Sequence, residues 1–298
     1  MQYKVLGKSD LNISQLSFGC MSMGQDEVEN AQLISQAIQN GFNLFDTADL
    51  YQQGSNEVSL GKALKGKRKS VYIATKVGNR WNNDGKTWEW CPDKAYILKA
   101  VEESLSRLNT DYIDLYQLHG GTLEDPIDGI IEAFEILQAQ GKIRYYGISS
   151  IRPNVIRTYL NRSKLTSVMM QYSLLDRRPE EEILKLLKEN NVGVLARGAL
   201  AQGLLVDKPA KPYLANSSET VDFMQRTVND LASDKRNSAS VAIGFVLGNK
   251  AVTSATLGIR NGQQLQQIYE SYTAIGLSPS DLEKLNKNAP VLYYEQHR

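Results

Sequence analysis

Four residues of this chain have the types and placement to move a proton at a carbonyl group: Asp46, Tyr51, Lys76 and His119. Asp46 lies near the end of the apolar run FNLFDTA (42–48), and Tyr51 follows it closely. Lys76 stands near the end of VYIATKV (71–77), and His119 closes YIDLYQLH (112–119). A free tyrosine has a pKa of about 10, too high for an efficient proton donor near neutrality. A lysine ammonium beside it favours the phenolate and lowers that value, and a carboxylate beside the lysine holds the ammonium charged and oriented. A neutral imidazole can hydrogen-bond a carbonyl oxygen as negative charge develops there. Singly, each residue has a plainer reading: Asp46 as a helix cap, Tyr51 as a packed aromatic, His119 as a core residue. Lys76 alone also fits the Schiff-base lysine of an aldolase. Their joint occurrence at successive run ends is what points to one site.

The elements that must position them follow from hydrophobic period. Short apolar, β-branched or aromatic runs at 15–19, 42–48, 71–77, 112–119, 144–149, 167–172, 192–198 and 251–258 predict eight strands. Between them lie segments of helical spacing, such as Leu98, Val101, Leu105 and Leu108, or Ile130, Ile131, Phe134 and Leu137. Strand–helix alternation requires a parallel sheet, since each crossover must return along it. Eight such units in about 250 residues predict a single closed eight-stranded parallel (β/α)8 barrel of the triose-phosphate-isomerase type. An open doubly wound sheet is the rival, but only LSFGCMSMG, a loose likeness to a dinucleotide fingerprint, follows the first strand. The opening YKVLGKSDLNIS predicts a hairpin turning at Gly7 to Asp10 and capping one barrel end. Residues 78–92, with three tryptophans, and residues 203–220 read as long loops on the C-terminal face, where barrel enzymes keep their chemistry.

Composition sets the class. The chain has 298 residues, 42% hydrophobic and 22% charged, ordinary globular values whose length allows one large domain or two smaller ones; the barrel reading makes it one domain over 1–298. A net charge of +1 gives no electrostatic footprint for nucleic acid or an anionic membrane. The opening residues lack a signal-peptide core, and no stretch approaches the roughly 18 apolar residues of a membrane span. Cys20 and Cys91 stand far apart and outside any metal-ligand spacing, which reads as reduced thiols in a cytoplasmic protein with no metal. A small molecule is the expected partner.

Several motifs together resemble the aldo-keto reductase signatures, in order and over nearly the whole chain. They are FDTADLY (45–51), ATK (74–76), SLSRLNTDYIDLYQLH (104–119), YYGISS (145–150), LARGALAQGLL (195–205) and SATLGIRNGQQL (254–265). The resemblance implies NADPH as cofactor and aldehydes or ketones as substrates. It implies Tyr51 as proton donor, Lys76 and Asp46 as its tuning pair, and His119 as the carbonyl orienter. Ser149 and Gln171 fall at positions that hydrogen-bond the nicotinamide carboxamide, and Gly19, Cys20 and Met21 at the first-strand turn beside the ring. Arg260 falls at the basic contact to the adenosine 2′-phosphate, with Gln264 in the same segment. The sequence departs from the family pattern at three points. Ser150 replaces a common asparagine, and Ile268 replaces a polar residue near the adenine. Arg197 stands where many members stack a tyrosine on the nicotinamide, a role that a planar guanidinium can also take. Trp81, Trp88 and Trp90 are expected to line the carbonyl pocket, and Tyr293 and Tyr294 to close over the substrate.

The expected activity is therefore NADPH-dependent reduction of a carbonyl to an alcohol. Two other readings stay open at this point: an NADPH-binding redox-sensing subunit with slow turnover, and the Lys76 aldolase.

Overall fold

The computed structural model describes residues 1–82 and 84–298. In chain order the strands are β1 (Tyr3–Val5), β2 (Asn12–Ser14), β3 (Leu16–Gly19), β4 (Leu44–Asp46), β5 (Tyr72–Val77) and β6 (Asn79–Trp81). They continue as β7 (Trp88–Trp90), β8 (Ile113–Leu118), β9 (Ile143–Ser149), β10 (Ser167–Gln171), β11 (Gly193–Arg197) and β12 (Val252–Gly258). The first five helices are α1 (Glu27–Gln39), α2 (Ser55–Ala63), α3 (Lys94–Leu108), α4 (Ile127–Ala139) and α5 (Pro153–Arg162). The rest are α6 (Ile183–Glu189), α7 (Ser218–Asn229), α8 (Ser238–Gly248), α9 (Gly262–Thr273) and α10 (Pro279–Asn288). Strands β3, β4, β5, β8, β9, β10, β11 and β12 pair in that order and close back on β3, all in parallel. Each lies within one of the eight runs read from the sequence, except that β9 begins one residue before its run, at Ile143.

Period-two alternation decides what faces the barrel interior. Leu44, Ala74, Leu115, Met169 and Leu195 point inward and pack on Leu6, Leu11 and Ile13 of the β1–β2 hairpin, which plugs the N-terminal end as expected. The hairpin turns through Gly7 at φ 54°, where an added Cβ would lie 2.3 Å from the Thr166 carbonyl oxygen. Two residues further along the same strands, Asp46, Lys76, Gln117, Gln171 and Arg197 therefore also face inward, at the opposite, C-terminal mouth. Outward-facing Phe18, Phe45, Ile73, Tyr116, Ile148 and Val194 meet the apolar faces of the surrounding helices in a second, larger core.

The segment 78–92 differs from its reading as an open loop. It folds back as the antiparallel pair β6–β7, with Trp81 opposite Trp88. A cross-strand aromatic pair on each side of a polar turn stabilises such a ribbon, and this contact is not readable as strand period over three residues. Residues 203–217 are largely irregular, with a 3-10 turn at Ala201–Gly203 and a bridge between Tyr213 and Asn216. Among the described residues no helix is long and apolar enough to cross a membrane.

Candidate active site

The mouth of the barrel is built around a buried ammonium. Lys76 is 1% exposed, and its Nζ donates to Asp46 Oδ2 and the Thr47 carbonyl oxygen, both at 2.7 Å, and to Tyr51 Oη at 3.4 Å. A lysine ammonium has three protons, so each finds an acceptor, which is the condition for tolerating a buried charge. Burial pulls the Lys76 pKa down, but Asp46 and Tyr51 outweigh it and hold the group above its ordinary value. With its protons donated, Lys76 lacks the free lone pair that Schiff-base formation requires, so the aldolase chemistry has no support here.

Tyr51 stands edge-on to His119, ring centroids 5.8 Å apart. Burial raises its pKa, with Asp46 adding to the rise, and the pull of Lys76 does not reverse it. This corrects the expectation of a lowered tyrosine. The phenol is held neutral in this state, as a proton donor requires. His119 is driven down to about 3 by burial and by the positive charges of Lys76 and Arg197, so the imidazole is neutral throughout the physiological range. The turn that carries Tyr51 into α2 places Gln52, Gln53 and Gly54 in succession at φ 50°, 55° and 83°. Left-handed conformations at non-glycine residues cost about 1 kcal/mol or more each and persist where the surroundings hold them. Gln52 does so by donating from Nε2 to the Met23 carbonyl oxygen at 2.9 Å.

Behind this turn lies a polar layer that the sequence reading did not single out. Thr47 Oγ1 donates to Asn56 Oδ1 at 2.7 Å, and Asn56 Nδ2 donates to the Cys20 carbonyl oxygen at 2.9 Å, tying the ends of β3 and β4 together. Glu57, fully buried, accepts from Thr75 Oγ1 and from Arg107 Nε at 2.7 Å. The available signal was that Asn56 and Glu57 share an α2 face with Leu60 and Gly61, an apolar stripe in which polar residues need a reason. Asp49 lies in the same layer, and neither carboxylate oxygen has a partner among the described residues. Burial, with Glu57 adding to it, raises its pKa to about 8.

A proton held on Asp49 up to that pH ties stability to pH. The unfolded carboxyl ionises near pH 4, while the folded one stays protonated to about 8. Folded-state stability therefore falls as pH rises between those values. Asp49→Asn should abolish that slope, so that its melting temperature gains on the wild type by roughly 4 °C or more on going from about pH 5 to pH 8. Melting curves that stay parallel across this window would contradict the assignment.

On the opposite side of the mouth, Gln171 and Arg197 are register partners on β10 and β11. Arg197 Nη1 donates to Gln171 Oε1 at 3.0 Å, and Gln171 Nε2 donates to Tyr213 Oη at 3.1 Å. Arg197 is thus anchored to the Gln171 amide, and Tyr213 is a further contact that sequence reading missed. Ser149 faces the mouth at the end of β9, half-buried. Gly19 ends β3, the Cys20 thiol is buried, and Met21 is 62% exposed on the following turn. That turn packs against β12 because position 258 is glycine, where a Cβ would lie 2.6 Å from Ser22 Oγ. Beyond β12, Asn261 caps α9 by accepting from the Gln264 amide, and Gln264 Oε1 accepts from the Arg260 amide at 3.0 Å. Arg260 itself is exposed. A helix N-terminus after the eighth barrel strand, with a guanidinium beside it, suits a phosphate group. Ile268 packs into the core from the same helix, which accounts for its apolar character.

The three tryptophans part ways. Trp81 Nε1 donates to the Leu50 carbonyl oxygen at 3.3 Å, which sets its ring beside the turn that carries Tyr51. Trp90 lies over Gly78 and Gly120 and donates to Asp125 Oδ1 at 2.9 Å, joining two loops. Trp88 is 52% exposed. At the C-terminus Tyr293 is exposed, whereas Tyr294 is buried with the Arg178 guanidinium 5.1 Å from its ring centre. Glu181 accepts from the Tyr294 amide and pairs with Arg298.

Three comparisons agree with this geometry. Residues 15–289 match the model of the aldo/keto reductase family. The chain is 44% identical to an uncharacterized oxidoreductase of Bacillus subtilis, YqkF, with all of both chains covered. It is 28% identical to an Escherichia coli protein named NADH-specific methylglyoxal reductase, covering 93% of this chain and 94% of that one. Among solved structures, the holo form of the aldo-keto reductase AKR11C1 from Bacillus halodurans is similar with a TM-score of 0.94 and 46% identity. It covers 100% of this chain and 99% of that one.

Proposed function

The chain belongs to the aldo/keto reductase family of oxidoreductases, and on that premise we propose that it reduces aldehydes or ketones to alcohols with NADPH. The carrying observation is the arrangement of Asp46, Lys76, Tyr51 and His119 around one inward-facing mouth, with a neutral phenol 3.4 Å from a charged ammonium. NADPH, when bound, would supply the hydride for the carbonyl carbon. Tyr51 Oη gives its proton to the carbonyl oxygen, and Lys76 Nζ stabilises the phenolate left behind. Asp46 keeps that ammonium charged and directed, and solvent restores the proton of Tyr51. His119, neutral, offers a hydrogen bond to the oxygen without competing as an acid. Gln171 and Ser149 would hold the carboxamide of the cofactor, and Arg260 its 2′-phosphate.

Choice between NADPH and NADH rests on Arg260, and the relative named as NADH-specific makes this contact worth measuring. Arg260→Ala should raise the NADPH dissociation constant by roughly tenfold or more while changing that of NADH by less than about twofold. Fluorescence titration of both cofactors reads this directly. Equal weakening of the two, or none, would remove the 2′-phosphate role.

A further inference from the structure

Gln117 sits on β8 as the register partner of Lys76, one inward step below His119, and is 0% exposed. A carboxamide in that position is costly unless its N–H and C=O groups are satisfied, and an apolar side chain of the same size would fill the space more cheaply. Neither Nε2 nor Oε1 of Gln117 has a well-formed hydrogen bond among the described residues. The same is true of one atom of the buried ion pair, Asp46 Oδ1. Lys76 has nothing left to offer that oxygen, because its protons already go to Asp46 Oδ2, Thr47 and Tyr51. Burial raises the pKa of Asp46, and Lys76 and then the Gln117 amide pull it back toward the anion, even though the Gln117 contact is not closed to ordinary hydrogen-bond geometry.

We propose that Gln117 is a positioning residue: its amide N–H donates to the free oxygen of Asp46, fixing the carboxylate against Lys76 and, through Lys76, the Tyr51 hydroxyl. The consequence for Tyr51 rests on the carbonyl-reductase reading, whereas the contact with Asp46 does not. The other groups that face Asp46 are Lys76 from β5, Arg197 from β11, Tyr51 from the turn after β4, and the Cys20 thiol after β3. None of them is altered by a change at position 117, so a change in Asp46 would belong to the lost amide.

The test uses the full chain, first without cofactor. The carboxyl carbon signal of Asp46, identified by its loss in Asp46→Asn, is titrated in the wild type and in Gln117→Met. The expected result is a rise of on the order of one unit in the apparent pKa of Asp46. With NADPH and an aldehyde, Gln117→Met should lower kcat by about tenfold while KM and NADPH affinity stay within about twofold. Gln117→Glu, which can donate when protonated and repels Asp46 when ionised, should recover relative turnover as pH is lowered from about 8 to 6. An Asp46 titration unmoved by Gln117→Met would overturn the proposal, as would a pH-independent loss in Gln117→Glu. If Gln117→Met does not fold, Gln117→Glu carries the decision alone. A wild type that shows no reduction would fail the functional reading separately, since the titration is measured without cofactor.

Discussion

Tyr51→Phe is expected to reduce kcat for carbonyl reduction by about 10³-fold while NADPH affinity changes by less than about twofold. The ring that stands edge-on to His119 is kept, and Lys76 retains its two 2.7 Å contacts, so the variant removes the proposed proton donor and little else. Steady-state kinetics together with fluorescence titration of NADPH separate the two effects. The pH profile of the wild type should carry the same signature. A donor must be protonated to act, and the Tyr51 pKa lies above the ordinary tyrosine value because burial outweighs Lys76. The reduction rate should therefore hold level through neutrality and fall only above about pH 10. His119, at about 3, contributes no break between. Near-normal turnover by Tyr51→Phe would show that the proton comes from elsewhere.

Lys76→Met has the second large effect, and it reaches stability as well as activity. The Lys76–Asp46 pair is a 2.7 Å contact between two buried groups, with Asp46 4% exposed. Removing the cation alone leaves a buried carboxylate without its partner, which costs about 3–5 kcal/mol. Asp46 would then hold a proton to higher pH than in the wild type. The unfolded chain ionises that group near pH 4, so the variant's deficit in stability should grow as pH rises beyond that value. Adding Asp46→Asn to Lys76→Met should restore most of the lost stability, since replacing both members of a buried pair is far cheaper than breaking it. Neither variant should reduce substrate at a measurable rate. Denaturant midpoints of the wild type, the single and the double variant decide this, and a double variant no more stable than the single would contradict it.

What was legible in the sequence was what repeats. Alternation of apolar runs with helical stripes located the eight strands, because a strand buried on both sides must be apolar along its length. The same runs ended in Asp46, Lys76 and His119, and inward alternation carried those side chains to one mouth. The hairpin plug was equally readable, since Leu6, Leu11 and Ile13 flank a turn at Gly7. Features made by contacts distant in sequence were not readable. Trp81 and Trp88 form a ribbon only because they pair across strands of three residues. The direction of the Tyr51 shift depends on how deeply the phenol is buried, and the sequence pointed only to the lysine beside it. Asp49, Glu57 and Arg107 form one layer from three separate elements, and Tyr213 reaches Gln171 across 42 positions. Gln117 reads as one polar residue in an apolar strand until the buried Lys76 is seen as its register partner, with Asp46 paired to it.

The central claim is tested most directly by incubating the purified chain with NADPH and a panel of reactive aldehydes while following the loss of nicotinamide absorbance and the alcohol formed. The account predicts loss with NADPH, with about one alcohol produced per nicotinamide oxidised. Tight NADPH binding with no absorbance loss for any carbonyl would contradict it and leave a protein that holds the cofactor without turning it over.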